Sequence, residues 1–266
     1  MKILIFAGTT EGREFAKKAS ESGFEVTISV ATKYGSEILA ETLGTNTQKI
    51  KVLENRLNQK EIENLARNFD AIVDATHPFA VEITKNIKTA CEHLNVPYFR
   101  LLRDCANADP AITYFDSLDS VCKHILNDGA QRENPAENAY KKIFISTGSK
   151  ELECFTKIPD YKNRCYVRVL PNIDSIQKCL DAGFLQSHIF AMQGPFSKKM
   201  NDVFFEETQA EILITKESGK NGGFDEKILA AKERGMQIFC VKRPSEKGKF
   251  IFSDYDSLIS SINSKA

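Results

Sequence analysis

The feature that most limits the fold is a recurring unit. A short apolar, β-branched segment stops at a turn of small or hydroxyl residues, and apolar residues then recur at helical spacing. Residues 2–7 read as a strand feeding Gly8-Thr9-Thr10-Glu11-Gly12, followed by a helix over 11–22 that Gly23 closes. A second strand spans 24–30, and a helix at 58–68 puts Ile62, Leu65, Ala66 and Phe69 on one side. After a strand at 71–74, residues 79–94 carry Phe79, Ile83, Ile87, Ala90, Cys91 and Leu94 at helical spacing. Asn95 and Pro97 stop that helix before a strand at 98–102. Short strands alternating with helices specify βαβ units and a parallel sheet, an α/β fold. Such sheets bind ligands beyond the carboxyl ends of their strands, so function belongs in the loops directly after them.

The segment 127–142 turns polar and reads as a linker, after which Ile-Phe-Ile-Ser-Thr-Gly restarts the pattern at 143–148. Displaced by 140 residues, Gly8 falls on Gly148, Glu11 on Glu151, Phe15 on Phe155, and Asp116-Ser117-Leu118 on Asp256-Ser257-Leu258. A displacement of 117 puts Pro78-Phe79 on Pro195-Phe196. These matches predict two similar α/β domains, 1–130 and 131–266, with a cleft between them.

The 266 residues hold 36 Lys+Arg against 36 Asp+Glu, a formal net charge of zero. That balance argues against a general nucleic-acid binder. At 42% hydrophobic and 27% charged, the composition is that of a folded protein. The first apolar run is too short for a signal-peptide core or a spanning helix, so no membrane association is expected. The seven cysteines include no Cys-x-x-Cys pair; they read as inert core thiols in a reducing cytoplasm, with no metal site.

Gly8-Thr9-Thr10-Glu11-Gly12 opens a helix, whose N–H donors and positive dipole end suit a phosphate. Gly-x-Gly-x-x-Gly is absent, so spacing alone leaves both a dinucleotide loop and a plain Thr-capped turn open. Ser29-Val30-Ala31-Thr32-Lys33-Tyr34-Gly35 ends the second strand without the Asp or Glu that binds an NAD ribose. Ser29, Thr32 and Lys33 suit a 2′-phosphate instead, favouring NADPH over NADH; a solvated loop is the plain alternative. Asp74-Ala75-Thr76-His77-Pro78-Phe79-Ala80 places Thr76 and His77 between strand and helix. Thr215-Lys216-Glu217-Ser218-Gly219-Lys220 begins a glycine-rich loop that reads either as an anion cradle or as a flexible connection, and it is no Walker A loop. Gly194-Pro195-Phe196-Ser197 and Lys242-Arg243-Pro244 also follow strands, and Arg243 suits bidentate binding of a carboxylate.

In this order, and together with Ser146-Thr147-Gly148 and Arg13, these blocks resemble the precorrin-6A reductase family of cobalamin biosynthesis, over residues 8–244. The resemblance implies two Rossmann-like domains with the active site in their cleft. It also implies hydride transfer from a reduced nicotinamide to a double bond of precorrin-6A or cobalt-precorrin-6A, giving the 6B form. An Arg-x-x-Arg-Pro-x-Trp-like segment belongs at 100–109 in such a protein; here Arg100 and Arg103 remain without the Pro and the aromatic residues.

On this reading Gly8, Thr9, Thr10, Glu11 and Gly12 hold the diphosphate, and Ser29, Thr32 and Lys33 the adenosine ribose-phosphate. Thr76 lies beside the nicotinamide ribose. His77 and Lys216 are the candidate catalytic proton donors, with water a third. Arg13, Arg103, Ser146, Gly194, Pro195, Phe196, Ser218, Gly219, Lys220 and Arg243 line the binding site of the tetrapyrrole polycarboxylate. Arg13, Lys33, Arg103, Lys216, Lys220 and Arg243 are expected to gather toward the cleft, with acidic residues elsewhere. Transient contact with neighbouring pathway enzymes is also expected. Two other classes fit the turns alone: a twin-Rossmann transferase using a nucleotide-sugar or S-adenosylmethionine, and a non-catalytic NADPH-binding protein.

Overall fold

The structure is a computed structural model that describes all residues except 44–49, 103–108, 132–140, 220, 221, 245, 247, 249 and 266, and the side chains of 34, 42, 43 and 128–131. Residues 1–105 and 244–266 form one compact unit, and residues 106–243 form a second.

The first half runs β1 (Lys2–Ala7), α1 (Thr10–Glu21), β2 (Glu25–Val30), α2 (Lys33–Leu43), β3 (Ile50–Glu54), α3 (Gln59–Ala66), β4 (Ala71–Ala75), α4 (Val81–Leu94) and β5 (Tyr98–Leu101). The chain continues through β6 (Ile112–Phe115), α5 (Leu118–Gln131), β7 (Ile143–Ile145), α6 (Tyr161–Arg164), β8 (Cys165–Val169), α7 (Ile173–Asp181) and β9 (Ile189–Ala191). It ends with α8 (Lys198–Thr208), β10 (Ile212–Lys216), α9 (Phe224–Glu233), β11 (Gln237–Val241), β12 (Ile251–Phe252) and α10 (Tyr255–Lys265).

The first sheet has the order β12-β5-β4-β1-β2-β3, with its paired strands parallel. Alternate residues of β1 serve opposite faces. Ile3, Ile5 and Ala7 join Phe15, Ala16 and Ala19 of α1 and Leu258 and Ile262 of α10 in one core. Leu4 and Phe6 join Ile62 and Ala66 of α3 and Ile87, Ala90 and Cys91 of α4 in another. A sheet covered on both faces needs apolar residues at every position, and every residue of β4 is buried, Asp74 included.

The second sheet has the order β6-β11-β10-β7-β8-β9, also parallel. Counted from β7, its five strands repeat the order that β1 to β5 take in the first. The sixth strand of each sheet comes from the other half of the chain. β6 follows β5 in sequence but pairs with β11, while β12 follows β11 but pairs with β5.

This exchange moves the domain boundary. A border at 130/131 would leave β6 and α5 with the first unit and β12 and α10 with the second; they group the other way. The displacement of 140 had matched these two strand–helix segments, and they are equivalent. The displacement of 117 joins unlike places: the turn after β4 corresponds to the turn after β10, not to the Pro195 turn after β9. The linker also begins later than 127, because α5 continues through Gln131. Residues 32–35 do not form a loop: Thr32 Oγ1 accepts from the Gly35 N–H at 3.1 Å and starts α2.

Candidate active site

In the first sheet the strand order reverses between β1 and β4, the place where a parallel sheet opens a crevice. Thr9 sits at the β1 exit in an extended conformation and caps α1, its Oγ1 accepting from the Gly12 N–H at 3.2 Å. The same hydroxyl donates to the Ala75 carbonyl at 3.1 Å, tying the β1 exit to the β4 exit. A Cβ on Gly8 would lie 3.8 Å from the His77 nitrogen and 3.9 Å from the Thr76 Cα. Gly12 lets α1 touch the sheet: a Cβ there would stand 2.9 Å from the Ala75 Cβ. Thr10 begins α1 and accepts from Arg13 Nη2 at 3.0 Å, and burial lowers the pKa of Arg13. Glu11 lies in the first turn of the same helix. Ser29 is buried in β2 beside Phe6, and Lys33 is exposed at the start of α2.

The turn after β4 rests on a polar network that the motif reading missed. Asp74 and Arg100 are fully buried. The Thr76 N–H and Oγ1–H donate to Asp74 Oδ1 at 3.0 and 2.6 Å. Since the single Thr76 proton goes to the carboxylate, Thr84 of α4 donates across the 3.2 Å contact between the two hydroxyls. The Tyr98 hydroxyl donates to Asp74 Oδ2 at 3.0 Å, and burial followed by the Asp74 charge drives its pKa upward. Arg100 binds Glu246 as a fork through Nε and Nη2, at 2.9–3.1 Å. Burial works against its charge, but Asp74 and Glu246 outweigh that and raise its pKa. The available signal was a charged residue inside an apolar strand, at Asp74 in β4 and again at Arg100 in β5, because a buried charge needs a partner. Beside the network, His77 Nδ1 accepts from the Phe79 N–H at 3.3 Å, and its ring tilts against Phe79.

In the second unit the corresponding crevice lies between the exits of β7 and β10. Ser146 follows β7, and its N–H and Oγ both reach the Ile214 carbonyl, at 2.9 and 3.2 Å. Lys216 ends β10 and pairs with Glu151. The Arg243 N–H donates to Glu217 Oε2 at 3.2 Å, and its guanidinium lies 3.8 Å from the other oxygen. Ser218 packs beneath Gly222, where a Cβ would stand 2.7 Å from its Oγ. Gly219 has a left-handed φ of 73° and accepts from the Gly222 and Phe224 N–H groups. Gly194 precedes a cis Pro195, and Gly223 approaches both Pro195 and Phe196. Arg103 and Lys220 lie outside the described residues. The expectation that acidic residues would stand away from the cations fails for Lys216 and Arg243, because the carboxylates of Glu151 and Glu217 pair with them.

Beneath these loops Lys227 is buried and donates to Thr215 Oγ1 at 2.9 Å. Burial, then the nearby Arg168, pushes its pKa down to about 7. Arg168 is buried against the Phe196 ring at 4.1 Å and donates to Asn201 at 2.9 Å; burial lowers its pKa to about 10. Of the cysteines, Cys91, Cys122, Cys165, Cys179 and Cys240 are buried and Cys154 is half-buried. Burial first of all raises Cys91, Cys165 and Cys240 to about 12, so these thiols stay protonated. Cys105 falls outside the described residues. No helix among the described residues is long and apolar enough to cross a membrane.

Comparison with known proteins decides the family. The model of the precorrin-6x reductase CbiJ/CobK family matches residues 2–263. The chain belongs to that family. It is therefore an oxidoreductase, and relatives bear this out. A cobalt-precorrin-6A reductase from Priestia megaterium is 33% identical over 98% of this chain and 97% of its own. One from Methanothermobacter thermautotrophicus is 33% identical over 98% and 83%. The solved structure of the CobK precorrin-6A reductase superposes with a TM-score of 0.73, covering 100% of this chain and 97% of that one, at 17% identity. That likeness confirms the α/β fold with two parallel sheets flanked by helices.

Proposed function

We propose that this precorrin-6x reductase transfers a hydride from NADPH to a macrocycle double bond of cobalt-precorrin-6A, giving the 6B form. The observation that carries the cofactor reading is the crevice between β1 and β4. A helix N-terminus capped by Thr9, a glycine at each close approach, and the Thr76-His77 turn converge there. These residues fit a dinucleotide: Gly8 lets its diphosphate approach the N-terminus of α1, while Gly12 lets that helix seat against the sheet. Bound there, the reduced nicotinamide supplies the hydride. Thr10 and Glu11 flank the diphosphate, and Ser29, Thr32 and Lys33 stand at the β2 exit for the adenosine ribose and its 2′-phosphate. Thr76 is held for the nicotinamide ribose. In the second unit Lys216, Ser218 and Arg243 offer donors to substrate carboxylates, with Ser146, Gly194, Pro195, Phe196 and Gly219 around them. Arg13 adds positive charge at the first turn of α1. Reduction needs one proton besides the hydride, and His77, Lys216 or water delivers it.

The names of the most similar relatives support the cobalt form of the substrate. The relatives named for cobalt-precorrin-6A are 25–33% identical and include those at 31–33%, whereas the ones from a Sinorhizobium and from Mycobacterium tuberculosis, named for precorrin-6A, are 26% identical. The test mixes the protein with cobalt-precorrin-6A or precorrin-6A and follows NADPH and NADH absorbance. Faster oxidation of NADPH with the cobalt form is expected; no oxidation with either substrate would sink the reading.

A further inference from the structure

We propose that Arg100 is a positioning residue of the β1–β4 crevice: it fixes the peptide between Thr76 and His77 so that its amide faces Gly8, and Glu246 fixes Arg100 in turn. The inference rests on reading that crevice as the NADPH site.

The geometry is specific. Nη1 of Arg100 donates to the Asp74 carbonyl at 2.9 Å, to Asp74 Oδ1 at 3.1 Å and to the Thr76 carbonyl at 3.0 Å. It therefore captures two carbonyls, two residues apart, where β4 ends and no further strand pairing holds the backbone. A trans peptide is planar, with its carbonyl and amide pointing to opposite sides. Drawing the Thr76 oxygen toward Arg100 on β5 turns the His77 amide toward β1. The His77 nitrogen is indeed the backbone atom nearest a Cβ placed on Gly8, at 3.8 Å. The Asp74 side chain adds a second hold on Thr76 through its N–H and hydroxyl. The turn that faces the crevice is thus set from behind by a guanidinium that does not reach the ligand.

Only a planar fork does this. The Nε/Nη2 edge of Arg100 is occupied by Glu246, so its third nitrogen has one direction left, toward the β4 exit. A lysine ammonium is a single point and reaches either Glu246 or the carbonyls. Glu246 belongs to the segment that returns from the second unit to β12, with Arg100 and Phe250 bonded along it. Its carboxylate also lies 3.9 Å from the Lys88 ammonium of α4. The segment that completes the first sheet is therefore the one that locks the crevice.

The test measures NADPH dissociation constants by nucleotide fluorescence on the full chain, with no tetrapyrrole needed, alongside melting temperature and steady-state kinetics. Arg100→Lys should bind NADPH at least tenfold more weakly and lose kcat/KM for NADPH by the same factor, while KM for the tetrapyrrole stays within twofold. Glu246→Gln, which keeps one acceptor oxygen but turns the other into an NH2 donor and loses the charge, should weaken NADPH three- to fivefold and decides the matter if Arg100→Lys does not fold. Asn58→Ala removes the cap of α3 in the same unit, and so controls for lost stability; it should melt earlier with unchanged NADPH affinity. If the Arg100 and Glu246 variants behave like Asn58→Ala, with only melting affected, Arg100 is structural and the proposal is overturned. A wild-type chain that binds no NADPH would instead overturn the cofactor reading itself.

Discussion

Lys33 and Lys227 show how differently one residue type acts in two environments. Lys33 is exposed at the β2 exit, where an NAD site would carry an acid. Replacing it with Ala should raise the dissociation constant for NADPH about tenfold, the scale of one lost exposed charge contact on a phosphate, and leave NADH nearly unchanged. Equal losses would refute the 2′-phosphate assignment. Lys227 is buried, with a pKa pushed from the ordinary 10.5 down to about 7. Between those values the unfolded chain binds the proton and the folded chain does not. Stability from this group therefore rises with pH from about 7 toward 10.5, and the burial cost is fully present below 7. Lys227→Met should gain most over the parent at pH 6 and least at pH 9.5, read from urea midpoints. A constant difference would show that Lys227 does not titrate in this range. Lys227 was invisible in the sequence because nothing in a Lys at the fourth position of a helix says which way it points. Lys216 was legible by its place at a strand exit, yet its Glu151 partner lies 65 residues away in the chain.

Among elements, α1 is the one most closely specified by its sequence. Thr9 caps it, Glu11 complements its dipole, and Phe15, Ala16 and Ala19 lie on its buried face. Gly12 was legible as a turn glycine, but its service is to packing: the helix axis comes so close to β1 and β4 that a methyl would meet Ala75 at 2.9 Å and Ala7 at 3.2 Å. Gly12→Ala should cost about 1–3 kcal/mol in urea unfolding and weaken NADPH binding, because α1 must back away from the sheet. Unchanged stability would mean that α1 is less tightly seated. The helix α2 escaped the sequence reading. Its start, Thr32 and then Lys33-Tyr34-Gly35, has the composition of a loop, and the apolar Ile38, Leu39, Ala40 and Leu43 after it span little more than one turn. The strand β3 escaped for a related reason: with Ile50 alone fully buried, it is an edge strand of the sheet.

For the whole molecule, sequence alternation was enough for the class of fold and for two similar halves, but not for their border. Pairing partners are set by which sheet edge a strand meets, and β6 and β12 look alike in sequence. Truncation after Arg243 tests the exchange. It removes β12 and α10, and with them Leu258 and Ile262 from the core that holds Phe15 and Phe99. Hydrogen exchange should then show lost amide protection in β1 to β5 and native protection in β6 to β11. Protection retained in the first unit would contradict the assignment. The division at 130/131 would instead place the loss in the second unit.

The exchanged sixth strand also dictates an order of events during synthesis. Domains ordinarily fold as they leave the ribosome, the earlier one first. Here residues 106–243 emerge complete while the earlier-made unit still lacks β12, α10 and Glu246. The unit translated first is thus the one that finishes last. Until Glu246 arrives Arg100 lacks half its partners, and until residues 251–265 follow β5 presents an open edge, so exposure to aggregation is expected in this interval.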